Sequence, residues 1–259
     1  LNTSSIRCPL PATANKIGRG KGAENASHYG LNTYMEFCDI PNIHTMRNSL
    51  KDLYKLAQPL GVTKGGDTKF LSLLEETGWL KHIQSVLTAS VRLVEMMDRE
   101  STSVLIHCSD GWDRTAQVCS LVQMLLDPYA RTIDGFQMIV CKEWLKAGHR
   151  IHIRTGHGDD NSEDTNRSPI FMQFLDCVYQ LINQNPLDFQ FTELLLLDTI
   201  DALYSGRFGT FLYNNERERK EQELMTLSTS YWTYVNDHKT KYLNPLYVKD
   251  HSDTIFPCA

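Results

Sequence analysis

The sequence has no closely spaced cysteine pair, no long apolar run and no surplus of positive charge. Its seven cysteines (Cys8, Cys38, Cys108, Cys119, Cys141, Cys177 and Cys258) are odd in number and scattered, without a CxxC. That argues against a disulfide framework or zinc finger and for a reducing compartment, where a reactive thiol also survives. Apolar runs such as Leu194–Leu197 fall far short of the roughly eighteen residues that span a bilayer. A net charge of −5 excludes a strongly basic nucleic-acid binder but leaves room for a local cationic site. No charged-then-apolar leader opens the chain, so no secretory signal is expected, and no repeat or linker divides it. With 259 residues, 41% hydrophobic and 22% charged, the composition suits one soluble, helix-rich α/β domain.

What the chain does have is Val104-Leu-Ile-His107-Cys108-Ser109-Asp110-Gly111-Trp112-Asp113-Arg114-Thr115. An apolar strand ends in His-Cys, a short loop intervenes, and Arg-Thr opens a helix. Thiolate attack on a phosphate monoester needs this order. The strand fixes the sulfur, the loop (Ser109, Gly111 and Trp112 among its donors) aims backbone N–H groups at one point, and the helix N-terminus adds positive charge. Arg114 supplies a planar two-pronged grip on phosphate oxygens. The same surroundings lower a thiol pKa from about 8.5 into the range ~3.5–7.5. The alternative is that Cys108 is a small apolar residue at the end of a buried strand.

Around this motif the hydrophobic periodicity predicts a strand over 34–40, a short helix over 45–57 and a longer one from Thr77 to about Met97. A helix follows the cysteine loop and closes at Asp127-Pro128; others are predicted near 134–147, 169–184 and 192–204. Residues 1–33 read as irregular, 148–166 as a long polar segment, Glu216–Glu223 as a solvated helical face, and the tail as extended chain.

An alkoxide leaves poorly, so an acid must donate a proton. The loop itself offers Asp110 and Asp113, each of which could instead be a carboxylate capping backbone N–H groups. Arg150 and Arg154 lie four residues apart, on one face if helical, and with His149 and His152 they form a cationic patch. Equally, they could be solvated partners of Asp159, Asp160 or Glu163. His149, His152 and His157 with Asp159 match no standard zinc spacing, and a cysteine-dependent phosphatase has no use for a metal, so no metal and no cofactor are expected. His107 is expected to be a fixed partner of the loop rather than a base. Taken alone, Asn15 is a loop residue and Asn42 a turn residue.

The loop Cys-Ser-Asp-Gly-Trp-Asp-Arg-Thr resembles the signature of the myotubularin family of phosphoinositide 3-phosphatases. So do Ala14-Asn15-Lys16, Asp39-Ile-Pro-Asn-Ile43-His44, Lys142-Glu-Trp144, Gly148-His-Arg150, Gly156-His-Gly-Asp159, Arg167-Ser-Pro169, Phe208-Gly-Thr-Phe-Leu212 and Asn244-Pro-Leu-Tyr247, in family order. The resemblance implies a cysteine-dependent, protein-tyrosine-phosphatase-like α/β fold, helix-rich around a central sheet. It implies residues 1–259 as one phosphatase domain, truncated at its N-terminus, without the family's PH-GRAM domain or C-terminal coiled coil. The implied reaction removes the 3-phosphate of phosphatidylinositol 3-phosphate and phosphatidylinositol 3,5-bisphosphate through a cysteinyl-phosphate on Cys108. Arg114 would be the phosphate grip and Asp113 the acid, with Asp110 organising the loop or touching the inositol ring. Asn15, Asn42, the backbone at Ile43, and Arg150 and Arg154 would line the substrate pocket with the loop residues. The implied partners are a phosphoinositide headgroup, a membrane bound peripherally at endosomes from the cytosol, and a homo- or hetero-dimer with family members, with no nucleic acid. A protein-tyrosine or dual-specificity phosphatase and a catalytically silent phosphoinositide-binding scaffold are the competing functions.

Overall fold

In the computed structural model, which describes residues 2–5, 25–29, 33–58, 69–157 and 164–258, three short parallel strands carry the nucleophile to its place. They are β1 (Asn2–Ser5), β2 (Met35–Phe37) and β3 (Val104–His107), in the order β2-β1-β3. Ser5 pairs with both Phe37 and His107, so Cys108 emerges at the C-terminal edge of the sheet. That edge is where parallel α/β sheets hold their ligands. Strand β1 lies in the stretch expected to be irregular. The four polar residues of its sequence, Asn-Thr-Ser-Ser, carry no apolar alternation to announce it.

The rest is largely helical. Helix α1 spans Ile43–Ala57, α2 Phe70–Glu76 and α3 Trp79–Asp98. After β3 and the cysteine loop come α4 (Arg114–Leu126), α5 (Ile133–Ile139) and α6 (Ile151–Thr155). Then follow α7 (Ile170–Gln184), α8 (Glu193–Ser205), α9 (Glu216–Glu221), α10 (Leu224–Leu227), α11 (Tyr231–Asp237) and α12 (Lys239–Tyr242). Among the described residues the tail expected to be extended carries no helix after Tyr242, and the charged run does form a short helix.

Helix α4 occupies the centre. It buries Ala116, Gln117, Val118, Ser120, Leu121, Val122, Met124 and Leu125, which leaves almost no solvated stripe. A helix apolar on nearly all sides belongs in the core. It packs against α3, whose Ile83, Val86, Leu87, Ser90, Leu93 and Val94 recur at helical spacing on the buried side. It also packs against α7. Two buried side chains cross-link α4 to α7: Gln117 Nε2 donates to Gln173 Oε1 at 2.8 Å and to the Ile170 carbonyl at 3.1 Å. Among the described residues the expected central sheet is thus small, and the helix that follows the cysteine loop organises the packing. Leu105, on β3, is 39% exposed.

The helix expected over 134–147 is two kinds of helix. Helix α5 is α-helical, but Val140–Lys146 continues as π-helix. Wide turns bring the Ala147 N–H to the Lys142 carbonyl and the His149 N–H to the Trp144 carbonyl. Gly148, at φ +81°, makes the reversal that a side chain would resist. His149 therefore lands edge-on to the buried Trp144 ring, 4.8 Å between centroids, and Trp144 Nε1 donates to Ser120 Oγ on α4 at 2.9 Å.

At the start of α5, Thr132 Oγ1 accepts the Gly135 N–H, and the Gly135 backbone passes so close to Tyr129 that a Cβ would overlap the Tyr129 carbonyl. Gly135→Ala is expected to destabilise the chain by ~1–3 kcal/mol through this overlap. A drop in the denaturant midpoint at constant m-value checks it.

Candidate active site

Six residues connect strand β3 to helix α4, and they fold around the Cys108 sulfur. The Gly111 N–H lies 3.2 Å from Sγ. Gly111 adopts φ +88°, a conformation that suits glycine and turns the loop back on itself. Cys108 is half-buried, and burial pushes its thiol pKa up. The Thr115 hydroxyl, the Arg114 charge and the backbone N–H groups of Asp110 and Thr115 more than offset this, so the thiol sits below its ordinary value. The same loop residues arranged around a phosphate would hold its oxygens by the same N–H groups.

Arg114 is aimed rather than loose. Its Nη1 donates to the Ile40 carbonyl at 3.1 Å, and its Nη2 donates to Ser109 Oγ at 3.1 Å. Ile40 belongs to the turn between β2 and α1, where Asp39 adopts φ +49°. Asn42 and Ile43, expected to line the pocket, have other employment here. The Asn42 side chain is the N-cap of α1, accepting from the His44 and Thr45 N–H groups at 3.0 and 3.2 Å. The Ile43 carbonyl accepts from Ser168 Oγ at 2.8 Å. Within this turn it is the Ile40 carbonyl that reaches the phosphate grip.

Asp113, the expected acid, is 8% exposed and bound by a two-pronged ion pair. Arg154 Nε donates to Oδ1 at 3.0 Å and Nη2 to Oδ2 at 2.7 Å. His149 Nδ1 lies 2.8 Å from the Trp112 carbonyl and 3.3 Å from Asp113 Oδ1. A carbonyl only accepts, so the ring carries its proton on Nδ1. Burial opposes ionisation of Asp113, but the His149 and Arg154 hydrogen bonds and charges prevail and hold its carboxyl well below the usual carboxylate range. In this geometry the Asp113 carboxyl is paired with Arg154 through both oxygens.

Arg150 and Arg154 were expected side by side on one helix face. Instead Arg150 precedes α6 and is exposed, its guanidinium 4.6 Å above the Trp112 ring. Arg154, on α6, is buried; beyond Asp113, its Nη1 donates to the Asn166 carbonyl at 2.9 Å. All three of its guanidinium nitrogens are therefore engaged. The structure brings Cys108, Ser109, Asp110, Gly111, Trp112, Asp113 and Arg114 into one loop, with Arg150 stacked at its rim and Arg154 beneath. Asn15, Asp159, Asp160 and Glu163 lie outside the described residues. A cleft of about 260 Å³ opens beside Trp112 and Arg150, bordered by Asn214, Asn215 and Glu218.

The sequence assigned no site contact to Ile40 or Asn214. Asn214 Oδ1 accepts the Ile153 N–H at 3.1 Å, and so caps α6 from a distant loop. No local spacing signals a carbonyl contact or a capping residue sixty-one positions away.

A family model described as the myotubularin-like phosphatase domain matches residues 4–220. The chain belongs to this family. A myotubularin of Xenopus laevis is 46% identical over the whole chain. The mouse protein named phosphatidylinositol-3,5-bisphosphate 3-phosphatase MTMR2 is 45% identical over 98% of the chain, and the Caenorhabditis elegans protein named phosphatidylinositol-3,5-bisphosphate 3-phosphatase mtm-1 is 44% identical over 95%. The chain covers 42%, 38% and 41% of these three relatives, about two fifths of their length.

Two outcomes are expected of this member of the myotubularin-like family. At neutral pH Cys108 should alkylate at least about tenfold faster than Cys38 or Cys119, whose thiols are pushed up to about 11 and about 12 by burial. Mass-spectrometric peptide mapping against time reads this. Asp113→Asn should cost about 3–5 kcal/mol at pH 7 by leaving Arg154 buried without its counter-charge. The wild-type carboxylate contributes stability above its unfolded pKa of about 3.9 and loses it as pH falls toward the depressed folded value. The gap between variant and wild type should therefore narrow below about pH 4 in chemical denaturation.

Proposed function

We propose that this chain carries the catalytic site of a phosphoinositide 3-phosphatase acting on phosphatidylinositol 3-phosphate and phosphatidylinositol 3,5-bisphosphate. The observation that carries the reading is the depressed Cys108 thiol inside a ring of N–H donors, with Arg114 fixed beside it. The printed names of the mouse and worm relatives supply the substrate class. The fold that goes with this reading is protein-tyrosine-phosphatase-like, with the three described strands as part of its sheet.

In the proposed reaction the Cys108 thiolate attacks the phosphorus of the 3-phosphate. The sulfur–phosphorus bond forms as the bond from phosphorus to the inositol 3-oxygen breaks, and that oxygen departs with a proton whose donor, on the family-based reading, is Asp113. Loop N–H groups and Arg114 stabilise the charge on the three phosphoryl oxygens. Water then attacks the cysteinyl-phosphate, releasing inorganic phosphate and restoring the thiolate. Arg150, exposed and held flat on Trp112, is the cation available to a second phosphate or an acidic headgroup. No residue among those described requires a metal for these steps.

Among the described residues no helix is long and apolar enough to cross a membrane. A lipid-borne substrate makes the proposed association peripheral, from the cytosol onto endosomal surfaces. The family resemblance alone supports pairing with itself or with another family member.

The test is phosphate release from short-chain phosphatidylinositol 3-phosphate by wild type and Cys108→Ser, with a phosphotyrosine peptide in parallel. Release from the lipid that vanishes in Cys108→Ser, with the peptide untouched, is the expected result. Release from the peptide alone would move the chain to the tyrosine-phosphatase class. Silence toward both in folded protein would favour a scaffold.

A further inference from the structure

We propose that Asn214 is a positioning residue for headgroup selectivity: by capping α6 from outside, it leaves the N-cap position to Arg150 and holds that cation beside the cysteine loop. The inference rests on the phosphoinositide reading, with Arg150 as the cation for a second phosphate, and assigns the residue that keeps Arg150 in place.

An α-helix opens with N–H groups that its own turns leave unpaired. A Ser, Thr, Asp or Asn at the N-cap ordinarily accepts one of them, from the second or third helical residue. Helix α6 has Arg150 in that position, and a guanidinium only donates. No capping bond comes from its side chain. The acceptor is instead Asn214, whose Oδ1 takes the N–H of Ile153, the third residue of the helix, at 3.1 Å. That is the bond a local cap would make. With five residues, α6 is too short to hold its first turn unaided. The Arg154 N–H donates to the Arg150 carbonyl at 2.9 Å, so the backbone of Arg150 belongs to the turn that Asn214 secures. From that backbone the guanidinium reaches its place 4.6 Å above the Trp112 ring.

Asn214 is itself aimed. Its backbone N–H and its Nδ2 both donate to Glu218 Oε2, at 2.8 and 3.3 Å, which turns Oδ1 toward Ile153. The same backbone N–H holds the Glu218 carboxyl below its ordinary value, although burial opposes this. Asn215 fixes Glu218 from the other side, donating from Nδ2 to Oε1 at 2.7 Å and accepting the Glu218 N–H at 2.9 Å as the N-cap of α9. Arg219 pins the preceding segment through the Leu212 and Tyr213 carbonyls, at 2.9 and 3.2 Å. The Tyr213 ring lies nearly parallel to that of His152, 6.2 Å between centroids, a second contact with the first turn of α6. The other end of α6 is held separately, by Arg154 through Asp113 and the Asn166 carbonyl. Loss of the Asn214 oxygen therefore loosens the first turn and Arg150, while the cysteine loop keeps its own anchor.

The test is isothermal titration of the full chain with short-chain phosphatidylinositol 3-phosphate and phosphatidylinositol 3,5-bisphosphate. A Cys108→Ser background keeps either lipid from being consumed. The fitted stoichiometry counts the folded fraction, and the ratio of the two Kd values is independent of it. Into this parent go Asn214→Ala, Asn214→Ser, Arg150→Ala and the combination of Asn214→Ala with Arg150→Ala. Asn214→Ala is expected to weaken the bisphosphate about tenfold and the monophosphate by less than about threefold. Asn214→Ser, which keeps a neutral oxygen acceptor, should fall between parent and alanine, and it carries the test should the alanine variant not fold. Arg150→Ala should weaken the bisphosphate at least as much. The double variant should lose no more than Arg150→Ala alone, because Asn214 acts through that side chain. Equal weakening of both lipids would reduce Asn214 to a general brace and overturn the proposal. An unchanged ratio, or losses that add in the double variant, would overturn it too. Bisphosphate affinity untouched by Arg150→Ala would remove the role given to Arg150, and the proposal with it. Absence of binding to either lipid by the parent would instead sink the phosphoinositide reading beneath it.

Discussion

The contact on which the rest of the site depends is the buried ion pair between Asp113 and Arg154. It joins residues forty-one positions apart and draws α6 under the cysteine loop. A buried pair of this kind contributes little net stability over a well-packed apolar substitute, because both ions give up their hydration. What it contributes is registry. Arg154 also accepts the Ser168 N–H at its carbonyl, the Ser168 hydroxyl donates to the Ile43 carbonyl, and three residues earlier the Ile40 carbonyl accepts from Arg114. Arg114 is the neighbour of Asp113, so the chain of contacts closes on itself. Loop, α6, the entry to α7 and the entry to α1 share one ring of polar contacts, and each fixes the next.

Charge is distributed around that ring with economy. Two carboxylate oxygens meet one guanidinium below the loop, while Arg114, on the side of the sulfur, donates to the neutral Ile40 carbonyl and Ser109 hydroxyl. The thiol therefore feels a positive neighbour and several N–H dipoles, and these outweigh its burial. Cys119 starts from the same chemistry one and a half turns into α4, without such a cradle, and burial pushes it the other way. Arg150 sits apart at the rim, stacked on Trp112, where its charge faces solvent and the cleft.

The strand, loop and helix from Val104 to Leu126 were legible in the sequence because every signal there is local: an apolar run, a glycine, an arginine at fixed spacing, then a buried helical pattern. Most long helices were legible for the same reason. Helix α6 was not, being five polar-flanked residues with no periodicity to detect, and its N–H capping comes from Asn214 far along the chain. The π-helical continuation of α5 was hidden because apolar positions alone do not separate a 3.6-residue turn from a wider one. Strand β1 was missed because its register comes from its neighbours on both sides. Asn42 looks like a turn residue from sequence alone, and its side chain does cap α1, while the family likeness pointed it toward the pocket. The largest difference concerns Asp113 and Arg154. No local spacing pairs them, and only tertiary structure reveals that they face one another.

Arg114 shows what such an arrangement means for affinity. A free arginine side chain carries about 2 kcal/mol of rotameric entropy, which a phosphate must remove before both prongs can close on it. Here the Ile40 carbonyl and the Ser109 hydroxyl have already removed much of that freedom when the chain folded. An incoming anion therefore meets a guanidinium whose disorder was surrendered beforehand, and more of the contact energy remains as binding. The turn between β2 and α1, remote in sequence, thereby sets the tightness of the grip.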